Sequence, residues 1–211
     1  MANLTVTQVL DDALLNIQDN SATIRVRFLN WLNNAIQDIA IERDWQALQT
    51  SVDISVLNNR IAKPVDYGRC VQIHNVASDY IKFCVTTQHK LSDVESAQMS
   101  NRLAGGILWS EDSTGIIFNG TVTFSSATLV YIPALTNYTE ADTLPFPATF
   151  SNYFQRAILT TYYEWDMDER MSLSANLQKV SLKQLKHMEN QLMLARAGWS
   201  KSIGLVNTDA R

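Results

Sequence analysis

Glycine, proline and cysteine are sparse in this chain, with seven, four and two among 211 residues. So few glycines leave no phosphate-binding loop: Gly105-Gly106 stands alone, without the preceding strand and following helix that such a loop needs. No Gly-x-Ser-x-Gly elbow presents a serine nucleophile. The two cysteines, Cys70 and Cys84, form no Cys-x-x-Cys pair, and in strand-like contexts within a reducing cytoplasm they read as buried apolar thiols, not a disulfide. His74, His89 and His187 lie too far apart for ligands at helical spacing, so no metal and no cofactor is expected. No apolar run approaches the roughly 18 residues that span a bilayer, and Met1-Ala2-Asn3-Leu4-Thr5 carries no basic segment before an apolar core. The expectation is a protein made in the cytoplasm and without membrane contact. Excess basic charge is also missing: the net charge is −4. Wrapping nucleic acid would need clustered Lys and Arg to neutralise phosphates.

What remains is ordinary globular composition, 46% hydrophobic and 18% charged, in a length suited to one domain with an insertion. The first helix opens with a capping box, Thr5 capping and Gln8 reaching back, and carries Val9, Leu10, Ala13, Leu14 and Ile17 on one face. Asp19-Asn20-Ser21 ends it and offers Ser21 as the next cap. Phe28, Leu29, Leu32, Ala35, Ile36, Ile39 and Ala40 then keep helical spacing to about Arg43. Alternation of Val52, Ile54 and Val56 with Ser51, Asp53 and Ser55 predicts a half-buried strand, followed by a turn at Asn58-Asn59. Further strands are expected at residues 70–74, 80–85, 115–118, 121–124 and 127–132, and a short helix between Ser92 and Met99. Asn119-Gly120 between two of these runs predicts a tight hairpin with a type I′ turn. Pro145 and Pro147 mark the return to helix: Tyr153, Phe154, Ala157, Ile158 and Thr161 form one face ending near Glu164. A last helix from about Ser172 to Ala197 turns Leu173, Leu177, Val180, Leu185, Met188, Leu192 and Ala195 inward.

The expected fold is therefore α+β. Residues 1–49 and 149–199 form an antiparallel helical bundle, residues 50–148 a β-rich insertion, and residues 200–211 an extended tail. Candidate chemistry is thin. Asp166, Asp168 and Glu169 are the one dense carboxylate group, and their place between two helices points to capping of the second, not to paired acid–base work. No catalytic residue is nominated. Lys179, Lys183 and Lys186 recur at helical spacing and read as a solvated outer face. Of five tryptophans, Trp31 lies off the main apolar face of its helix, where it either widens the core stripe or projects toward a partner as a candidate inter-subunit contact, and Trp199 opens the tail. Ile203, Leu205 and Val206 in that tail lack the periodicity to fold alone and need a partner surface, so Trp199, Ile203, Leu205, Val206 and Arg211 are the candidate interface.

The order of "IERDWQAL" (41–48), "VDISV" (52–56), "IAKPVDYGRCVQI" (61–73), β-hairpins, "YIPALTNYTEADTLPFPATF" (131–150) and two final helices resembles the head-to-tail adaptors of short-tailed phages and the related tail tubular proteins. The likeness covers residues from about 5 to 198. In it Arg43-Asp44-Trp45 closes the long helix over the β region, Pro64-Val65-Asp66 makes a rigid strand exit, and Leu144-Pro145 begins the return to helix. Lys63 departs from the pattern, standing where an apolar residue usually precedes that proline. The resemblance implies a virion protein at the head–tail junction: a ring, usually of twelve copies, beneath the portal protein of a filled capsid, its other face meeting other tail proteins. Its helices would form the ring wall, and DNA would pass through the lumen without specific binding, as a weakly acidic lining allows. A tail tubular subunit shares this layout. A virion-borne cell-wall hydrolase would have to use Asp166, Asp168 and Glu169, and a DNA-binding regulator would need a basic recognition helix that is missing.

Overall fold

A computed structural model describes residues 3–17, 21–75, 84–85, 87–88, 108–118 and 122–196. The helix starts are where their capping side chains place them. Thr5 N–H donates to Gln8 Oε1 and Gln8 N–H donates to Thr5 Oγ1, both at 3.2 Å, so the capping box is closed around the start of α1 (Val6–Ile17). Ser21 Oγ accepts from Ile24 N–H at 3.4 Å and opens α2 (Ala22–Glu42). α3 (Ser151–Trp165) and α4 (Met171–Arg196) follow late in the chain. Strands fill the interval: β2 (Thr50–Ser55), β3 (Arg60–Ala62), β4 (Tyr67–Asn75), β5 (Cys84–Val85), β6 (Thr87–Gln88), β7 (Leu108–Glu111), β8 (Gly115–Phe118), β9 (Ser126–Pro133) and β10 (Thr143–Pro147). β1 (Asn3–Thr5) precedes α1. The fold class is α+β, with three small sheets among the described residues, ordered β1-β10, β2-β9-β4-β5 and β3-β8-β7-β6. All pairings are antiparallel except β6 with β7.

The described residues of 1–47 and 136–211 form one compact unit and those of 48–135 another. The return to the helical unit comes at Thr136, ahead of the expected 149, because the intervening stretch is tied to α1 and α2. Asn33, buried on α2, donates its Nδ2 to Tyr138 O at 3.1 Å and accepts from Tyr138 N–H at 2.8 Å. Arg25 bridges Glu140 and Asp11 at 2.7 Å each. Val6 N–H donates to Asp142 O at 3.1 Å, and β1 pairs with β10. Leu144 and Phe146 on β10 are then fully buried, Phe146 edge-on to Phe154 at 5.1 Å.

The "IERDWQAL" segment works inside the same unit. Trp45 is wholly buried, its Nε1 donating to Ile39 O at 2.6 Å and its ring meeting Phe150 edge-on at 5.2 Å. Arg43 donates to Lys186 O and Asn190 Oδ1, and buried Glu189 accepts the Gln46 N–H at 2.6 Å. That carboxylate caps the short 3₁₀ turn Gln46–Leu48 from across α4.

In the β-rich unit, Asn58 and Asn59 take φ of 51° and 59°, and Leu57 and Arg60 exchange two backbone hydrogen bonds at 2.9 Å, which is the expected turn, of type I′. Its two arms enter different sheets, β2 beside β9 and β3 beside β8. The core there gathers Ile61, Ile73, Trp109, Ile116, Phe118, Leu129 and Tyr131. The hairpin predicted around Asn119-Gly120 does not form as a strand pair: β8 lies between β3 and β7, and residues 122–124 are not in a strand. Val122 N–H instead donates to Asn59 Oδ1, and Phe124 packs edge-on against Phe118 at 5.4 Å. Both edges of β8 are already taken, one by β7 just upstream and the other by β3, more than fifty residues away. The turn residues 119–120 and the helix expected at 92–99 lie outside the described residues, as do residues 80–83 of one predicted strand.

Candidate functional site

α4 does not face the way its apolar spacing predicts. Of the residues expected inward, Leu185 is buried, but Leu173, Leu177, Val180 and Met188 are 61%, 37%, 50% and 37% exposed, while Ser174, Ser181 and Glu189 are buried. The helix is turned by about one residue, some 100°. Polar contacts with α3 explain the choice. Thr160 Oγ1 and Ser174 Oγ lie 3.0 Å apart, Ser174 Oγ donates to Arg156 O at 3.5 Å, and Asn152 Nδ2 donates to Ser181 Oγ at 3.3 Å. At positions 174 and 181 the small hydroxyl side chains let the helices approach closely and satisfy one another. The result is an apolar strip on the outside of the helical unit. The side chains of Leu192 and Ala195, also expected inward, lie outside the described residues.

One end of the strip is the α3–α4 turn. Asp168 N–H donates to Tyr163 O at 2.9 Å and Met167 N–H to Glu164 O at 3.3 Å, the paired bonds of a Schellman cap. Met167 sits at the left-handed position of that cap with φ 53° and is 94% exposed. Trp165 beside it is half-exposed, with Arg27 stacked over its ring at 4.4 Å.

The predicted carboxylate group also lies here. Asp168 accepts from the Arg170 backbone at 2.8 Å and from its guanidinium, which lower its pKa to about 2. Its carboxylate holds the Arg170 N–H just ahead of α4 and bonds to no described N–H within that helix, so the expected capping is not what it does. Asp166 caps α3 instead, and Glu169 is exposed.

At the other end of the strip is a cleft of about 430 Å³ between the start of α3 and the middle of α4. Tyr153, Leu185 and Met188 form its apolar wall, with polar side chains that include Lys183, Gln184 and His187 also lining it. Burial raises the pKa of the Tyr153 phenol. The lysines of α4 divide: Lys186 pairs with Glu42, while Lys179 and Lys183 are exposed.

Trp31, nominated as an inter-subunit contact, is half-buried in an aromatic row, 5.5 Å from Phe28 and 6.5 Å from Trp165. Trp199, Ile203, Leu205, Val206 and Arg211 lie outside the described residues, as does His89. Cys70 is a free thiol. Cys84 pairs in register with His74, so its backbone lies about four residues, roughly 13 Å, along the sheet from Cys70, beyond disulfide reach. Among the described residues, no three His, Cys, Asp or Glu side chains gather where a metal could be held. No described helix is long and apolar enough to cross a membrane.

A scan of family models and a search of curated proteins each found no match to this chain.

Proposed function

We propose that this chain is a structural subunit of a short-tailed phage particle, one copy in a ring that joins the portal protein to the tail and continues the DNA channel. The observation that carries the reading is the outward apolar strip of α4, from Leu173 through Leu177 and Val180 to Met188. Exposed large apolar side chains are unremarkable singly, but a line of them along one helix is a contact surface awaiting a partner. The order of sequence motifs supports the choice of particle, and the weakly acidic charge suits a lumen that DNA must traverse. On this reading the chain is no enzyme: it acts by contact with copies of itself, the portal and other tail proteins. The residues Trp199, Ile203, Leu205, Val206 and Arg211 are assigned to the portal contact and Trp31 to the neighbouring copy.

The test is electron microscopy of portal-bearing capsids incubated with the purified chain. Wild-type protein should add a closed ring at the portal vertex. The L177E/V180E variant should keep its circular dichroism and melting temperature, since both positions are exposed, and leave the vertex bare. A bare vertex with wild-type protein would sink the proposal.

A further inference from the structure

The two ends of the α4 strip complement each other. The α3–α4 turn is an apolar knob, Met167 and Trp165, flanked by the exposed carboxylates Glu164, Asp166 and Glu169, and these outnumber the cation beside it, Arg27 over the Trp165 ring. The nearby Asp168 and Arg170 neutralise one another. The cleft is an apolar recess lined by Lys183 and His187. On α4 itself the one described carboxylate, Glu189, is buried and bonded to Gln46; from α2, Asp38 and Glu42 lie near Tyr153, and Glu42 is paired with Lys186. At about 430 Å³ the recess lies within the range, about 300–1,000 Å³, of pockets that take whole small molecules. A methionine or tryptophan side chain is no larger than such a ligand.

We infer that the α3–α4 turn of one copy seats in the α3–α4 cleft of the next, Met167 entering between Tyr153, Leu185 and Met188 while Glu164 and Glu169 face Lys183 and His187. A chain cannot fill its own cleft: α3 runs from Asn152 and Tyr153 at the cleft to Trp165 at the turn, about 20 Å of rigid helix. The occupant therefore comes from another molecule, and the turn of a second copy carries the apolar side chains and carboxylates that match the cleft. Charge favours one mode. Turn against turn would set carboxylates together, and cleft against cleft would set Lys183 against Lys183, so the symmetric dimers are both disfavoured. Turn into cleft is a head-to-tail contact, the kind that closes into a ring or continues as a filament. The backbone at Met167 adds an independent sign. A left-handed cap position favours glycine, and the methionine placed there packs against little within its own unit, being 94% exposed. A partner recess gives that side chain a use.

This inference rests on the reading of the chain as an assembly subunit, but not on which particle it builds. The test mixes two single variants, M167C and Q184C, at the highest soluble concentration under mild oxidation. A covalent dimer should appear in the mixture and exceed by at least tenfold anything formed by either variant alone, which also controls for the native cysteines. Sedimentation should show K183E weakening self-association about tenfold or more, and E164K/E169K/K183E, with both signs reversed, restoring it. The inference is overturned if the mixture cross-links no better than the separate variants, if M167C alone dimerises as readily, or if the reversed variant stays as weak as K183E. Cross-linking by a protein that never attaches to capsids would leave this contact standing and remove the phage reading. Attachment without cross-linking would do the opposite.

Discussion

Replacing Met167 by glycine should make the helical unit more stable, although it removes a large side chain. An L-residue held in the left-handed region costs about 1–2 kcal/mol, because Cβ crowds the neighbouring carbonyl. Glycine escapes that cost but carries more backbone freedom in the unfolded chain, worth about 0.5–1 kcal/mol. No packing is forfeited, because Met167 is 94% exposed. The two bonds of the cap are made by backbone atoms and survive the change. The net effect is a gain of about 0.5–1 kcal/mol, or about 1–4 °C in melting temperature for a chain of this size. Denaturant unfolding should show a higher midpoint at an unchanged slope. M167A is the control: it keeps Cβ and the strained φ and should differ from wild type by less than about 0.5 kcal/mol. If M167G is no more stable than M167A, the cap is not strained and the reasoning fails.

Two further outcomes follow from single side chains. N33A deletes both hydrogen bonds to the Tyr138 backbone and should cost about 2–4 kcal/mol, since each part-buried group left unpaired costs about 1–3 kcal/mol; thermal melts with less than about 1 kcal/mol of loss would show that this tie is dispensable. Asp168 should titrate near pH 2 in the folded chain by carboxyl NMR. Because this value lies below the unfolded carboxylate value near 4, its contribution is present above that pH and is lost as pH falls towards 2. R170Q should bring the midpoint back up, and a midpoint near 4 in wild-type protein would contradict the Arg170 contact.

The local signals in the sequence were sound where the contacts they described are local. The Thr5–Gln8 box, the Ser21 cap and the Asn58-Asn59 turn all depend on atoms within a few residues, and all are present. Periodicity also found most of the buried face of α2: it missed Ile24 in the first turn, took in the half-buried Leu29, and missed Asn33, whose partner lies 105 residues away. It failed on α4 because it counts only apolar residues. Ser174 and Ser181 are seven residues apart, two helical turns, and that repeat of small hydroxyls was the available sign of a close polar seam. The Asn119-Gly120 hairpin failed for the reverse reason: a strong turn signal lost to long-range pairing of β8 with β3. The cleft and the strained Met167 are tertiary features with no linear pattern behind them.

The helical unit is assembled from the two arms of a discontinuous chain, and this orders events during synthesis. β1 begins at Asn3, and its partner β10 ends at Pro147. α1 and α2 therefore leave the ribosome with their apolar faces uncovered and wait for α3. The segment from 48 to 135 is continuous and can pair its strands in the meantime, drawing residues 47 and 136 closer and shortening the loop whose closure entropy the helices must overcome. Emergence of α3 then completes the core, with Phe28 meeting Tyr162 at 5.8 Å. α4 is the last described element to be made, and it brings both the outer strip and one wall of the cleft. A nascent chain therefore exposes this apolar strip only after the core of α1, α2 and α3 is available to fold, so the last apolar surface to emerge does so beside a formed unit and not beside an unfolded one.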